Sequence, residues 1–179
     1  MSTSIRITLV QRGVSAVAQL LEAEAPRTCA AVLAALPLEA QVYHGKYARN
    51  EIYGLFPGLP DPDPGRENTT ITPIPGDLCW FTFSGNDLGN PAYGYEGEQE
   101  HRAQGAIVDL AMFYGRNNLL VNGDQGWVPG NVFGTVVEGL AQMAAACQDL
   151  WLGGVRGETL RFERVSWTGL SPSHDTVES

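Results

Sequence analysis

Only two stretches of this chain carry the apolar spacing of a helix, one early and one late; around them lie short extended runs broken by proline, glycine and asparagine. The early stretch is Ala25 to Leu36. Pro26 suits a first helical position, where a missing N–H has no intrahelical partner to lose. Cys29, Val32, Leu33 and Leu36 recur at i, i+3, i+4 and i+7, and Pro37 ends the run because it cannot donate the next backbone hydrogen bond. The spacing predicts a helix over Pro26 to Leu36. The late stretch sets Leu140, Met143, Ala144 and Cys147 on one face of a helix predicted over Glu138 to Asp149.

The extended runs follow a different period. Ile5 to Val10 alternates apolar and polar residues as a half-buried strand does, and Gln11 to Gly13 turn the chain so that Val14 to Leu21 returns beside it. Gln41 to Phe56 reads as extended structure with a polar interruption, whereas Leu55 to Arg66 is too rich in proline and glycine for a regular element. Thr69 to Ile74 and Leu78 to Phe83 read as strands about a Pro75-Gly76-Asp77 turn. Ala106 to Tyr114, Asn131 to Val137 and Thr159 to Val165 complete the set, with Ser84 to Gly105 as a long polar excursion. Many short strands and only two helices predict an all-β fold, a closed antiparallel barrel with a helix at each end. Val132, Phe133, Val136, Leu140 and Met143 are expected to be buried in it.

A chain of 179 residues, 44% of them hydrophobic, can bury one good core. A single domain over residues 1–168 is expected, followed by a disordered tail over 169–179. A net charge of -9 argues against nucleic acid or an anionic membrane as partner, since both would repel it. No apolar run approaches the roughly 18 residues that a membrane span needs, and Met1 to Ser4 lead straight into a strand, so a cytoplasmic protein is expected. Cys29, Cys79 and Cys147 are odd in number and lack Cys-x-x-Cys spacing, which predicts reduced, buried thiols. A homo-oligomer is compatible with all of this.

Four segments carry a family likeness. Asn131 to Leu140, NVFGTVVEGL, and Ala25 to Leu36, APRTCAAVLAAL, resemble the barrel-closing strand with its following helix and the first helix of the cyclophilins. Glu51-Ile52-Tyr53 and Phe113-Tyr114-Gly115 extend the likeness to small bacterial cyclophilin-like proteins of unassigned function. The resemblance implies the barrel. It does not carry the activity across. Cyclophilins isomerise X-Pro bonds with an arginine from a Phe-His-Arg motif, and the matching place here is Tyr43-His44-Gly45; the nearest arginine, Arg49, stands four residues away. Trp127 matches the pocket tryptophan of that family, but Gly130 or Asn131 stands where its histidine would be. The resemblance therefore implies a chain without efficient prolyl isomerase activity.

The residues with binding chemistry form two groups. Arg49, Glu51 and Tyr53 alternate with Ala48, Asn50 and Ile52, which puts them on one face if a strand runs through all of them. That face offers a guanidinium for a carboxylate and a carboxylate for an amine or amide; equally, Arg49 and Glu51 form an ordinary exposed pair. Tyr43, His44 and Tyr47 cluster beside it. The second wall is Phe113, Tyr114, Arg116, Asn117 and Asn118 at a strand end, a usual place for function, although Asn117 and Asn118 also suit a simple turn. If there is a cleft, it is expected between these groups, with Trp127 near. Glu96, Glu98, Glu100 and His101 read as a solvated acidic loop, not metal ligands. Signatures of serine hydrolases, phosphate-binding loops and zinc proteases are absent, and neither a metal nor a cofactor is implied. Three functions fit: a protein binding a small polar molecule or short peptide in a barrel-side cleft; an enzyme acting on a small amide or carboxylate through Glu51, Arg49 and Tyr53; or a residual prolyl isomerase.

Overall fold

The computed structural model describes residues 3–84, 87–88 and 105–165. The fold is mainly β, a nearly closed barrel-shaped sheet with two helices. The chain opens with the expected hairpin, β1 (Ser4–Leu9) and β2 (Val14–Leu20), and enters helix α1 (Pro26–Ala35). Next come β3 (Leu38–Gln41), β4 (Tyr43–His44), β5 (Glu51–Pro57), β6 (Thr69–Thr70) and β7 (Asp77–Ser84). Strand β8 (Ala106–Phe113), a small hairpin of β9 (Val121–Asn122) and β10 (Gly126–Trp127), β11 (Gly130–Glu138), helix α2 (Leu140–Gly153) and β12 (Thr159–Arg164) complete the order. The main sheet runs β3-β12-β1-β2-β11-β7-β8-β5-β4, with β6 on β11. Its two end strands, β3 and β4, are separated in the chain by Val42 alone, and β3 packs beside β5, so the sheet curls back on itself.

Both helices differ slightly from their predicted bounds. Helix α1 stops at Ala35 because Leu36, which precedes a proline, is extended. Helix α2 starts at Leu140, not Glu138, since Glu138 still pairs with Val17 as the last residue of β11. Gly139 makes the corner. Its φ is +80°, and a Cβ there would lie 2.7 Å from the Ser15 carbonyl oxygen, so only glycine fits. The helix outruns Asp149 because Leu150 is still core. The strand expected over Thr69 to Ile74 shrinks to Thr69–Thr70: Pro73 and Pro75 lack the N–H a ladder needs, and Ile74 is exposed. Val132, Phe133 and Met143 are buried as expected, whereas Val136 and Leu140 are half-buried at the barrel's end. The acidic loop residues Glu96, Glu98, Glu100 and His101 and the tail 169–179 lie outside the described residues.

Helix α1 has no side-chain cap of its own, since Ala25 holds the N-cap position. Glu67 supplies one from a distance: its carboxylate accepts hydrogen bonds from the Thr28 N–H at 2.8 Å, the Thr28 hydroxyl at 2.9 Å and Arg27 Nε at 2.8 Å. Burial alone would raise the Glu67 carboxyl, but these donors outweigh it and hold it down at about 2. Glu67→Ala is expected to lower stability by about 1–3 kcal/mol, since it leaves charge-seeking donors unpaired at a helix start. Chemical denaturation at neutral pH checks this. The stabilisation needs the ionised form, so it is present above the ordinary carboxyl range and lost as the pH falls through about 2.

The core has two faces. Side chains from β1, β2, β7, β8, β11 and β12, including Ile7, Leu20, Trp80, Leu110, Phe133 and Phe162, meet inside the barrel with Val32 of α1 and Met143 of α2. A second cluster lies on the opposite, outer face of β5, β7 and β8, where Tyr53, Leu55, Cys79, Phe81, Ile107 and Phe113 pack under the segments that follow β4 and β8. These three strands are therefore buried on both sides. The three cysteines are free and buried; burial pushes the Cys29 thiol up to about 11, Cys147 to about 12 and Cys79 well above its usual value, which makes them poor nucleophiles at neutral pH.

Candidate functional site

The outer face of β5, β8 and β7 carries odd-numbered residues in register. Leu55 stands opposite Asp109, which stands opposite Phe81; the next rung holds Tyr53, Ala111 and Cys79; the next pairs Glu51 with Phe113. Two carboxyl groups thus share one apolar face, two rungs apart. Three segments rise around them: residues 45–48 on one side, the β9–β10 hairpin region on another, and Asp87 with Leu88 on a third, leaving a cavity of about 110 Å³. Glu51, Asp109, Tyr53, Phe81, Phe83 and Leu120 form much of its wall.

Both carboxyl groups are almost fully buried, Glu51 at 8% exposure and Asp109 at 7%. Burial pushes the Glu51 carboxyl up to about 8. Asp109 is raised too, by burial first and by the charge of Glu51 second. Among the described residues, Asp109 Oδ1 is the one buried side-chain oxygen without a hydrogen-bond partner. Orphaned buried acceptors of this kind cost about 1–3 kcal/mol, so the protein keeps Asp109 at a stability cost. No group of three or more histidine, cysteine or acidic side chains among the described residues could hold a metal ion.

Gly45 packs directly against the Glu51 side chain. Its N–H donates to the Glu51 carbonyl at 2.8 Å, and a Cβ on it would lie 2.5 Å from Glu51 Oε2 and 2.8 Å from Glu51 Cβ. A side chain there would push into the carboxyl. Gly45→Arg is expected to displace Glu51 and lower the melting temperature; a thermal melt with no change would contradict this.

The remaining sequence-predicted residues are distributed around this cleft. Tyr53 lines it, and Tyr43 stacks on Tyr53 with ring centroids 5.5 Å apart. Arg49 does not share their face. Strand β5 begins at Glu51, and Arg49 is an exposed loop residue with φ +70°, so the period of two does not extend back to it. Phe113 is fully buried under the cleft in the outer cluster. Arg116 is exposed, and Trp127, in β10, is 61% exposed; neither lines the cavity. Asn118 is a structural anchor: its Oδ1 accepts from the Asn50 N–H at 3.2 Å, and its Nδ2 donates to the Pro73 and Gly115 carbonyls at 2.9 and 2.7 Å. Those bonds tie loop 45–50 to the segment after β8.

His44 and Tyr114 point away from the cleft. The Gly45 carbonyl can only accept, so His44 Nδ1 carries the proton that spans 3.1 Å to it, and Nε2 accepts from the Tyr114 hydroxyl at 2.6 Å. Burial lowers the His44 pKa, in keeping with this neutral tautomer, and its ring lies 4.9 Å from that of Trp151 on α2. Asp109 and the two phenylalanines of β7 belong to the site without having been singled out from sequence. The signal for Asp109 was a lone acid inside the apolar run Ile107 to Phe113.

An outer-face cleft on a barrel of this kind defines a β-barrel protein with a side pocket. Its sequence matches the model of DUF3830, a family described as a protein of unknown function, over residues 7–162, and the chain belongs to that family. No protein of curated function matches it in sequence. Among solved structures it is similar to McbB, determined in complex with tryptophan, with a TM-score of 0.62 and 17% identity over 93% of this chain. The chain spans about half of McbB, 46% of its length. It is also similar to the hypothetical protein AF2241 from Archaeoglobus fulgidus, with a TM-score of 0.49 and 19% identity over 92% of this chain and 95% of that one. At 17% identity the likeness to McbB speaks for the fold alone.

Proposed function

We propose that this chain is a small-molecule-binding protein of cyclophilin-like fold whose ligand enters the cleft bounded by residues 45–48 and the β9–β10 hairpin. The observation that carries the reading is Asp109: a buried carboxyl with an unpartnered oxygen, beside a second buried acid and against aromatic walls, is costly for folding and useful only to something that enters the space. McbB, of related fold, was determined in complex with tryptophan. Three free, buried cysteines fit a reducing compartment such as the cytoplasm, and no helix among the described residues is long and apolar enough to cross a membrane.

A thermal-shift screen against metabolites tests this. A ligand at a hundred times its Kd stabilises by about 2.7 kcal/mol, which for a chain of this size raises the melting temperature by about 5–10 °C. Hits are expected to shift the amide resonances of Glu51, Tyr53, Asp109 and Leu120. Hits that instead map to His44 and Trp151, or a broad screen without hits, would contradict the reading.

A second reading is favoured by the raised Glu51 carboxyl: an acid poised near neutral pH inside a cleft suits proton transfer, so the chain acts on a small amide or carboxylate, with Glu51 as the proton carrier and without Arg49. Loss of turnover in Glu51→Gln, with ligand binding retained, would support it. Efficient prolyl isomerase activity is not expected, because Gly45 leaves no arginine to stabilise the twisted amide. A proline-peptide assay approaching the diffusional ceiling of about 10⁸ M⁻¹s⁻¹ would contradict that.

A further inference from the structure

We infer that the cleft recognises an N–H-bearing organic cation, a primary ammonium or guanidinium on a short apolar chain, with Asp109 and Glu51 as its acceptors. The inference rests on the reading that the cleft is a ligand site and names the ligand's class. Asp109 Oδ1 lacks a donor among the described residues, and an ammonium or guanidinium brings several donors and no acceptor. A charge-assisted bond to a carboxylate is about twice as strong as a neutral one. Tyr53 and Phe81 line the same space, and aromatic rings attract cations within about 6 Å of the ring face. The other titratable groups around the two acids, among the described residues, are Lys46 and Tyr47 on the entry loop, Tyr53 on β5, Cys79 on β7 and Asp87 opposite. Counted with Asp87, the acids outnumber the one lysine. The net charge of -9 favours approach of a cation over that of an anion. A space of about 110 Å³ is smaller than the roughly 150 Å³ cavity that takes up benzene, so it fits a cationic head and a few carbons.

The class predicts a linked proton. Burial raises both acids in the empty cleft, and a cation beside them favours the ionised form, so binding releases protons. Affinity then rises with pH, by up to about tenfold per pH unit for each proton released, and levels off once the empty site is itself ionised.

Isothermal titration with n-butylamine, methylguanidine, n-butanol and butyrate at pH 6 and 8, in two buffers of different ionisation enthalpy, tests this. One of the two cations is expected to bind with proton release, and the alcohol and the acid are not. Asp109→Asn keeps the shape and is expected to retain the fold by circular dichroism, to weaken the cation at least tenfold and to lower the number of protons released on binding. Preference for butanol or butyrate, or affinity that falls as pH rises, would overturn the cation class while leaving the cleft as a site. Absence of binding by both cations would overturn it as well, and the metabolite screen then decides separately whether the cleft binds anything.

Discussion

Raising the pH from about 4.5 to 8 is expected to cost this protein several kcal/mol of stability, and Glu51→Gln is expected to remove the share that Glu51 contributes. The folded protein pushes the Glu51 carboxyl from 4.5 to about 8 by burying it. Between those values the native state holds a proton that the unfolded chain has released. Stability therefore falls as pH rises, by about 1.4 kcal/mol per unit. Over the whole window this amounts to something on the order of 5 kcal/mol for Glu51 alone, with Asp109 adding in the same direction. Glutamine keeps the shape and the neutral hydrogen-bonding character without a proton to lose. Urea denaturation of the wild-type and Glu51→Gln proteins at pH 5 and 8 measures both effects; equal pH dependence in the two would show that Glu51 is not the buried acid described.

Phe133→Ala is expected to cost about 3–5 kcal/mol, the range for a large aromatic removed from a packed core. Phe133 is fully buried inside the barrel. Its carbonyl also accepts from the Leu21 N–H at 2.8 Å and from Cys29 Sγ at 3.3 Å, so the residue sits where β2, α1 and β11 meet. The neighbouring Val132 points to the outer face, into the second cluster. Val132→Ala is therefore expected to cost less than Phe133→Ala and to perturb the cleft more than the barrel, which paired denaturation curves and amide spectra would resolve.

The barrel was legible because its signals are local. The stripe of α1, the hairpin of β1 and β2 and the late helix each depend on residues close in sequence, and the family likeness at Asn131 to Leu140 agreed with them. The cleft was only half legible. Glu51 and Tyr53 were visible because they stand in one short segment with Tyr43, which stacks on Tyr53. Arg49 was misplaced because a period of two assumes a continuous strand, and the loop tied by Asn50 and Asn118 ends that strand's face before Arg49. Asp109 was hidden for the opposite reason. Strand β8 is buried on both sides, so its sequence does not alternate and gives no sign of which face a residue occupies. Trp127 was expected beside the pocket, but β10 holds it outward. That hairpin turns through three residues, Gly123-Asp124-Gln125, with Gly126 at φ +74°; Asn122 Oδ1 accepts from the Asp124 N–H at 2.8 Å.

Two carboxyl groups stand buried in one cleft on the outer face of the barrel. Carbon-13 titration of the side-chain carboxyls in the unliganded protein measures this directly. Glu51 is expected to titrate near 8 and Asp109 well above its usual value, with each resonance absent from the shifts of its Gln or Asn variant. Titration of both groups in the ordinary range of about 4 would place them in water and contradict the account.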